Sequence, residues 1–264
     1  MIKPTDFGIK DAILSYLTPT TPLVPPDYAP EPVHISTGSF SVGLLGFCAR
    51  KDMYDRVRKL DLPLSFDVEP FPQSALWRMN MGKYVEQCIV YPALRVAYAD
   101  YYIETQGSLY VKEHERRTLI DFILPDSTFL EVKTQQAKSW DWAKRQKRPS
   151  WQAFQLVQPL YAHIHADRAI KEPYCRLLLM AYDVFPMIDE YIIEPPFIYN
   201  CVNGAVREHR LPPEVMPDAL DAEAARRLEL WRKEELPEAK PVYNWECKYC
   251  SYAEGCKKNL NITA

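Results

Sequence analysis

The chain has 264 residues, 47% of them hydrophobic and 25% charged, and a formal net charge of −3; this is enough for one large domain, or a domain with a small lobe. No apolar run reaches membrane-spanning length, and the start, MIKPTDFGIKDAILSYL, lacks a signal peptide's pattern, so a spanning helix is excluded and a cytoplasmic location is expected. Seven cysteines, an odd count, fit a reduced compartment better than a disulfide framework, and the mild acidity argues against a bulk polyanion binder while leaving room for a local basic groove.

Residues 18–36, TPTTPLVPPDYAPEPVHIS, carry six prolines, which sets residues 1–40 apart as an extended arm. From Ser41 to Leu60 the apolar spacing predicts a helix with a basic end. A second helix is predicted over Gln73–Ala97, with Leu76, Met79, Tyr84, Cys88 and Ile89 facing the core. Between Tyr101 and Lys133 the pattern changes to strands, with turns expected at Gln106-Gly107-Ser108 and at Pro125-Asp126-Ser127. The polar stretch AKSWDWAKRQKRPS leads into a helix around Trp151–His165. Strands follow near Arg176–Val184 and Glu190–Ile193, and a last helix lies at about 217–236. This order predicts an α/β (α+β) fold, a central mixed β-sheet flanked by helices. Its core would span 41–238, followed by a cysteine-bearing segment at 239–264.

The stretch FLEVKTQ places Glu131 and Lys133 two residues apart in a strand, hence on one face, with Val132 on the other. Alone, that pattern describes an edge strand with a salt bridge. Its setting adds acids. Asp121 lies on the preceding strand, folded back by the Pro125–Ser127 turn, and Gly82 and Glu86 share one helical face upstream. Three acids without three matching bases repel at neutral pH, and a hard cation with oxygen ligands, Mg²⁺ or Mn²⁺, relieves this.

The set Glu86, Asp121 and Glu131-Val132-Lys133 resembles the active site of the PD-(D/E)XK nuclease superfamily, in the branch of RecB-type domains, lambda-type exonucleases and CRISPR-adaptation nucleases. The resemblance implies a restriction-endonuclease-like core and a metal-dependent deoxyribonuclease, exonuclease before endonuclease, acting on DNA ends in recombination, replication, repair or CRISPR adaptation. It implies that Glu86, Asp121, Glu131 and the Val132 carbonyl hold the metal, and that Lys133 assists hydrolysis. The helix WQAFQLVQPLYAHI resembles the family's Gln- and Tyr-bearing helix, with Gln155 and Tyr161 as candidate catalytic residues and Gln158 as a third position.

WECKYCSYAEGCKKN spaces Cys247, Cys250 and Cys256 as C-x₂-C-x₅-C, so that the thiolates can face one ion or cluster, one ligand short of four. Cys48, followed by a basic helix, is the candidate fourth. One cysteine before the core and three after it resemble the [4Fe-4S] arrangement of AddB-type and CRISPR-adaptation nucleases, in which a cluster lobe joins the N- and C-terminal parts; Zn²⁺ is the alternative occupant. Cys88, Cys175 and Cys201 sit in apolar stretches and read as core. Lys138, Lys144, Arg145, Lys147 and Arg148, interleaved with Trp140 and Trp142, are candidate contacts to single-stranded or end-bearing duplex DNA, or else a solvated basic loop. His34, His163 and His165 are candidate ligands, but as isolated histidines near apolar segments they read first as structural. No glycine-rich phosphate loop is present, so unwinding would need a helicase or recombination partner. A non-catalytic DNA-end or partner-binding module with a structural Cys₄ metal site is the alternative function.

Overall fold

The turn at Pro125-Asp126-Ser127 forms as expected. Ser127 adopts φ 69°, its N–H donates to Leu124 O at 2.8 Å, and the Thr128 N–H donates to Asp126 Oδ1 at 2.9 Å. In this computed structural model, which describes residues 2–18, 38–70, 72–139, 153–165, 175–184, 187–243 and 245–257, the turn joins two strands of an eight-stranded, mostly antiparallel sheet. The strands are β1 (Phe40–Ser41), β2 (Glu104–Val111), β3 (Arg116–Ile123), β4 (Phe129–Gln135), β5 (Cys175–Ala181), β6 (Ile188–Glu194), β7 (Phe197–Val202) and β8 (Ala205–Arg210). Helices flank the sheet: α1 (Ile9–Leu17), α2 (Ala49–Lys59), α3 (Gln73–Val85), α4 (Tyr91–Ala97), α5 (Ala153–Ile164), α6 (Pro217–Arg232) and the short α7 (Ala253–Lys257). Among the described residues no helix is long and apolar enough to cross a membrane.

The order β1-β3-β4-β5-β6-β7-β8, with β2 on β3, is antiparallel except at β1–β3 and β4–β5. The β4–β5 step is a parallel crossover that carries α5. Alternation along β4 then sorts the core: Phe129 joins the cluster with Leu156, Val157 and Leu160 of α5, while Leu130 and Val132 join the one with Val85, Val90 and Leu94. The β7–β8 hairpin was not anticipated. Asn203 (φ 53°) and Gly204 (φ 75°) form the Asn-Gly connection that suits a two-residue hairpin.

Four expectations are corrected. Gln106-Gly107-Ser108 is not a turn but lies inside β2, which pairs with β3 from Glu104↔Ile123 to Val111↔Arg116. Leu76, Met79 and Tyr84 are 46%, 54% and 56% exposed, because the apolar residues of α3 are spread around the helix, and Val85 is the one it buries. The Ser41–Leu60 helix is broken. A 3₁₀ turn at Val42–Gly46 precedes α2, since Gly43 and Gly46 are poor helix formers and Phe47 is extended. Residues 1–40 are not one extended arm: Ile9–Leu17 form α1, whose Ile9 and Ile13 are buried beside Val90 and Leu94, and Phe40 is buried in β1. Residues 19–37, with His34, and the segment holding Trp140, Trp142, Lys144, Arg145, Lys147 and Arg148 lie outside the described residues.

Candidate active site

The β3–β4 ladder stops at Phe122↔Leu130, and the two strands part where the acids are. Asp121 fills the gap: its Oδ2 accepts the Val132 N–H at 2.7 Å, an amide a continued ladder would have used. Glu131 is fully buried, and Lys133 Nζ donates to its Oε1, so the two side chains share one face as the alternation predicts. Glu86 enters from the helical layer, where α3 passes into a π turn (Glu86–Val90) before α4; such turns recur at functional sites. Gly82, one turn earlier, lets α3 lie close to β4, since a Cβ there would stand 3.2 Å from Thr134 Oγ1.

Gln106 was overlooked in the sequence. Held at φ 52° within β2, it donates its amide Nε2 to Glu86 Oε1 at 2.6 Å and to Asp121 Oδ1 at 3.3 Å, bridging the two acids. A Gln-Gly-Ser triplet reads as turn chemistry, and a left-handed residue inside a paired strand uses the same residues.

Burial, then the nearby Asp121 carboxylate, pushes Glu131 up to about 8 and Glu86 up to about 7; Lys133 opposes both shifts. Burial also raises Asp121, against the Lys133 charge and the Val132 N–H. Burial works against the Lys133 ammonium, yet Glu131, Asp121 and Glu86 together outweigh it and hold its pKa above the ordinary lysine value. One ammonium thus faces three carboxyl groups that resist losing their protons together. Glu131 Oε2 is buried without a hydrogen-bond partner. A hard divalent cation fits this donor set: it would satisfy that oxygen and displace the protons.

The raised acids set the sign of a pH effect. Between the ordinary glutamate value of 4.5 and about 8 the folded protein binds more protons than the unfolded chain, so stability is lost as pH rises through this window. Metal-free protein in chelator is therefore expected to melt lower at about pH 8.5 than at about pH 6.5, with Mg²⁺ restoring the midpoint at the higher pH. A flat or rising midpoint would contradict the proton-holding site.

Gln155 is buried under the sheet, and Gln158 Nε2 donates to Thr118 Oγ1 at 3.4 Å. Tyr161 is not brought to the acids. Its hydroxyl lies 2.5 Å from His114 Nδ1, because six residues rotate it about 240° from Gln155 around α5. Lys138 is exposed just beyond β4.

A second site forms where the chain ends meet. Cys48, Cys247, Cys250 and Cys256 line one cavity of 200 Å³ with Lys51, Glu246 and Lys257. Buried Glu246 ties the two parts together, accepting the Cys48 N–H at 2.8 Å and the Tyr243 N–H at 2.7 Å. Arg50 Nε donates to Pro237 O at 2.7 Å. Burial raises the Cys250 and Cys256 thiols, opposed by the Lys51 and Arg50 cations respectively. Four thiols with flanking cations fit a thiolate-held cluster or ion. Cys175 is buried; Cys88 and Cys201 are partly so. Among the described residues the tightest ligand-type group is elsewhere: His114, His165 and Asp221, with donor atoms all within 4.8 Å.

No family model and no curated protein matches the chain. A solved structure titled "Crystal structure of SSO0001" is similar over 99% of this chain and 98% of its own, at 15% identity and a TM-score of 0.38. A likeness that weak carries no argument.

Proposed function

We propose that the protein is a metal-dependent DNA nuclease of PD-(D/E)XK type with a cysteine-held [4Fe-4S] cluster. The observation that carries the reading is the junction at which β3 and β4 part, with Glu86, Asp121, Glu131 and Lys133 gathered around an orphaned buried carboxylate oxygen. Glu86, Asp121 and Glu131 would hold Mg²⁺ or Mn²⁺, with the Val132 carbonyl as a further ligand. When bound, the metal supplies Lewis-acid polarisation of the phosphodiester and of the attacking water. Lys133, anchored by Glu131, offsets charge that builds on the phosphate and orients the water. Gln106 fixes the spacing of Glu86 and Asp121, so removing its amide would loosen two ligands at once. Trimming of DNA ends is the preferred activity.

The test is digestion of end-labelled single- and double-stranded DNA with Mn²⁺ and with chelator. Metal-dependent release of nucleotides from ends is expected. Binding of DNA ends without cleavage would favour the non-catalytic module instead.

The cluster has a separate test. Cys48→Ala is expected to bleach the brown colour and lower the melting midpoint, because ligation closes a long loop and restricts the unfolded chain. Iron content and melting equal to wild type would remove Cys48 from the ligand set. A colourless wild-type protein containing zinc would replace the cluster with a Cys₄ zinc site.

A further inference from the structure

A third group of side chains gathers away from both sites. His114, buried, ends the short turn (Lys112–His114) that joins β2 to β3. His165 directly follows α5, and Asp221 lies on α6. Asp221 Oδ1 is 3.2 Å from His165 Nε2 and 3.7 Å from His114 Nδ1. Donors placed tetrahedrally at about 2.0–2.1 Å from Zn²⁺ stand about 3.3–3.4 Å apart, so the observed separations bracket this spacing. A second observation concerns hydrogen bonding rather than distance. His165 Nε2 is shielded from solvent and makes no hydrogen bond, although it faces the carboxylate. A buried imidazole nitrogen that makes no hydrogen bond is uncommon, and a cation between it and the carboxylate would satisfy both.

We propose that His114, His165 and Asp221 form a divalent transition-metal site of the zinc class, separate from the acidic and cysteine sites. Two imidazoles and one carboxylate suit zinc better than magnesium, which prefers an all-oxygen set. Three protein ligands leave a fourth position for water. Tyr161 stands beside it. Its hydroxyl, 2.5 Å from His114 Nδ1, would release that nitrogen to the metal and turn to the bound water. Its ring packs 4.4 Å from that of His165, centroid to centroid. The site would clamp the β2–β3 connection, the end of α5 and α6 to one another.

Calorimetric titration with Zn²⁺ of the cluster-loaded protein, in excess Mg²⁺ to occupy the acidic site, tests this. Wild type is expected to take up one more equivalent than Asp221→Asn or His165→Gln, and its melting midpoint alone should rise with Zn²⁺. Each variant should weaken that binding by more than the about 10–100-fold that loss of an outer-shell partner costs. Equal stoichiometry and equal melting in all three proteins would overturn the proposal and leave an ordinary His–Asp ion pair. If His165→Gln fails to fold, Asp221→Asn decides alone, since the Asp221 side chain is 51% exposed.

Discussion

Glu131→Gln is expected to reduce DNA hydrolysis to below about a thousandth of the wild-type rate, the several kcal/mol that metal-held charge stabilisation contributes. The same substitution should raise the melting midpoint of metal-free protein above about pH 7, because it removes a buried acid whose ionisation the folded state resists. Loss of activity with gain of stability is the signature of a ligand rather than a structural residue. Asp121→Asn should lose activity equally, but its Oδ2 also holds the Val132 N–H, so its stability should change less favourably. Lys133→Ala should cost about 10²–10³-fold in turnover, the scale of one lost electrostatic donor, while calorimetry finds metal affinity nearly intact. Unchanged cleavage in all three variants would sink the assignment.

The largest loss of stability is expected from Asp52→Ala. Asp52 Oδ2 accepts from Arg116 Nη2 at 2.8 Å and from Arg227 Nη1 at 3.0 Å, and all three side chains are buried. Arg227 also donates to the carbonyls of Leu44, Leu45 and Phe47, and Arg116 to that of Ser41. Asp52 therefore bridges two guanidiniums that pin the 3₁₀ turn, β3 and α6 together, one of which, Arg227, also pairs with Glu223. Removing the Asp52 carboxylate leaves Arg116 buried without a counter-ion and Arg227 with Glu223 alone, 2.7 Å from its Nε, which costs about 3–5 kcal/mol and lowers the melting midpoint by roughly 6–20 °C for a chain of this size. Asp52→Asn keeps the shape and loses the charge, and should fall most of the way. As a control, Arg226→Ala breaks a pair that stands half in solvent and should cost less than about 1 kcal/mol. A loss below that in Asp52→Ala would show that the arginines find other partners.

Where the candidate site is written in local pattern, its geometry was legible in the sequence. Glu131 and Lys133 share a face because strands alternate, and Asp121 returns to them because Pro-Asp-Ser makes a turn. The four cysteines line one cavity. What escaped depends on distant partners. Gln106 bridges Glu86 and Asp121 only once β2 lies on β3 and α3 lies above them, and nothing in Gln-Gly-Ser announces that. Leu76, Met79 and Tyr84 look like core because periodicity marks apolar residues without saying which side meets the sheet. His165, read as structural, acquires His114 and Asp221 from elements some 50 residues away on either side. The Asn203-Gly204 hairpin also escaped, although its turn chemistry is local.

The cysteine cavity also has a history in time. Roughly 200 residues separate Cys48 from Cys247, and a ribosome adding about 5–20 residues per second needs about 10–40 s to cross that interval. During it, the strands bearing Asp121 and Glu131 are made and can pair, while Cys48 waits as a lone thiol with its wall of the cavity unopposed. The cavity therefore closes only after these strands have been made, and the proposed cluster would enter after the sheet exists. A shortage of the proposed cluster is then expected to leave chains with a finished sheet and an open seam, where proteases would cut first.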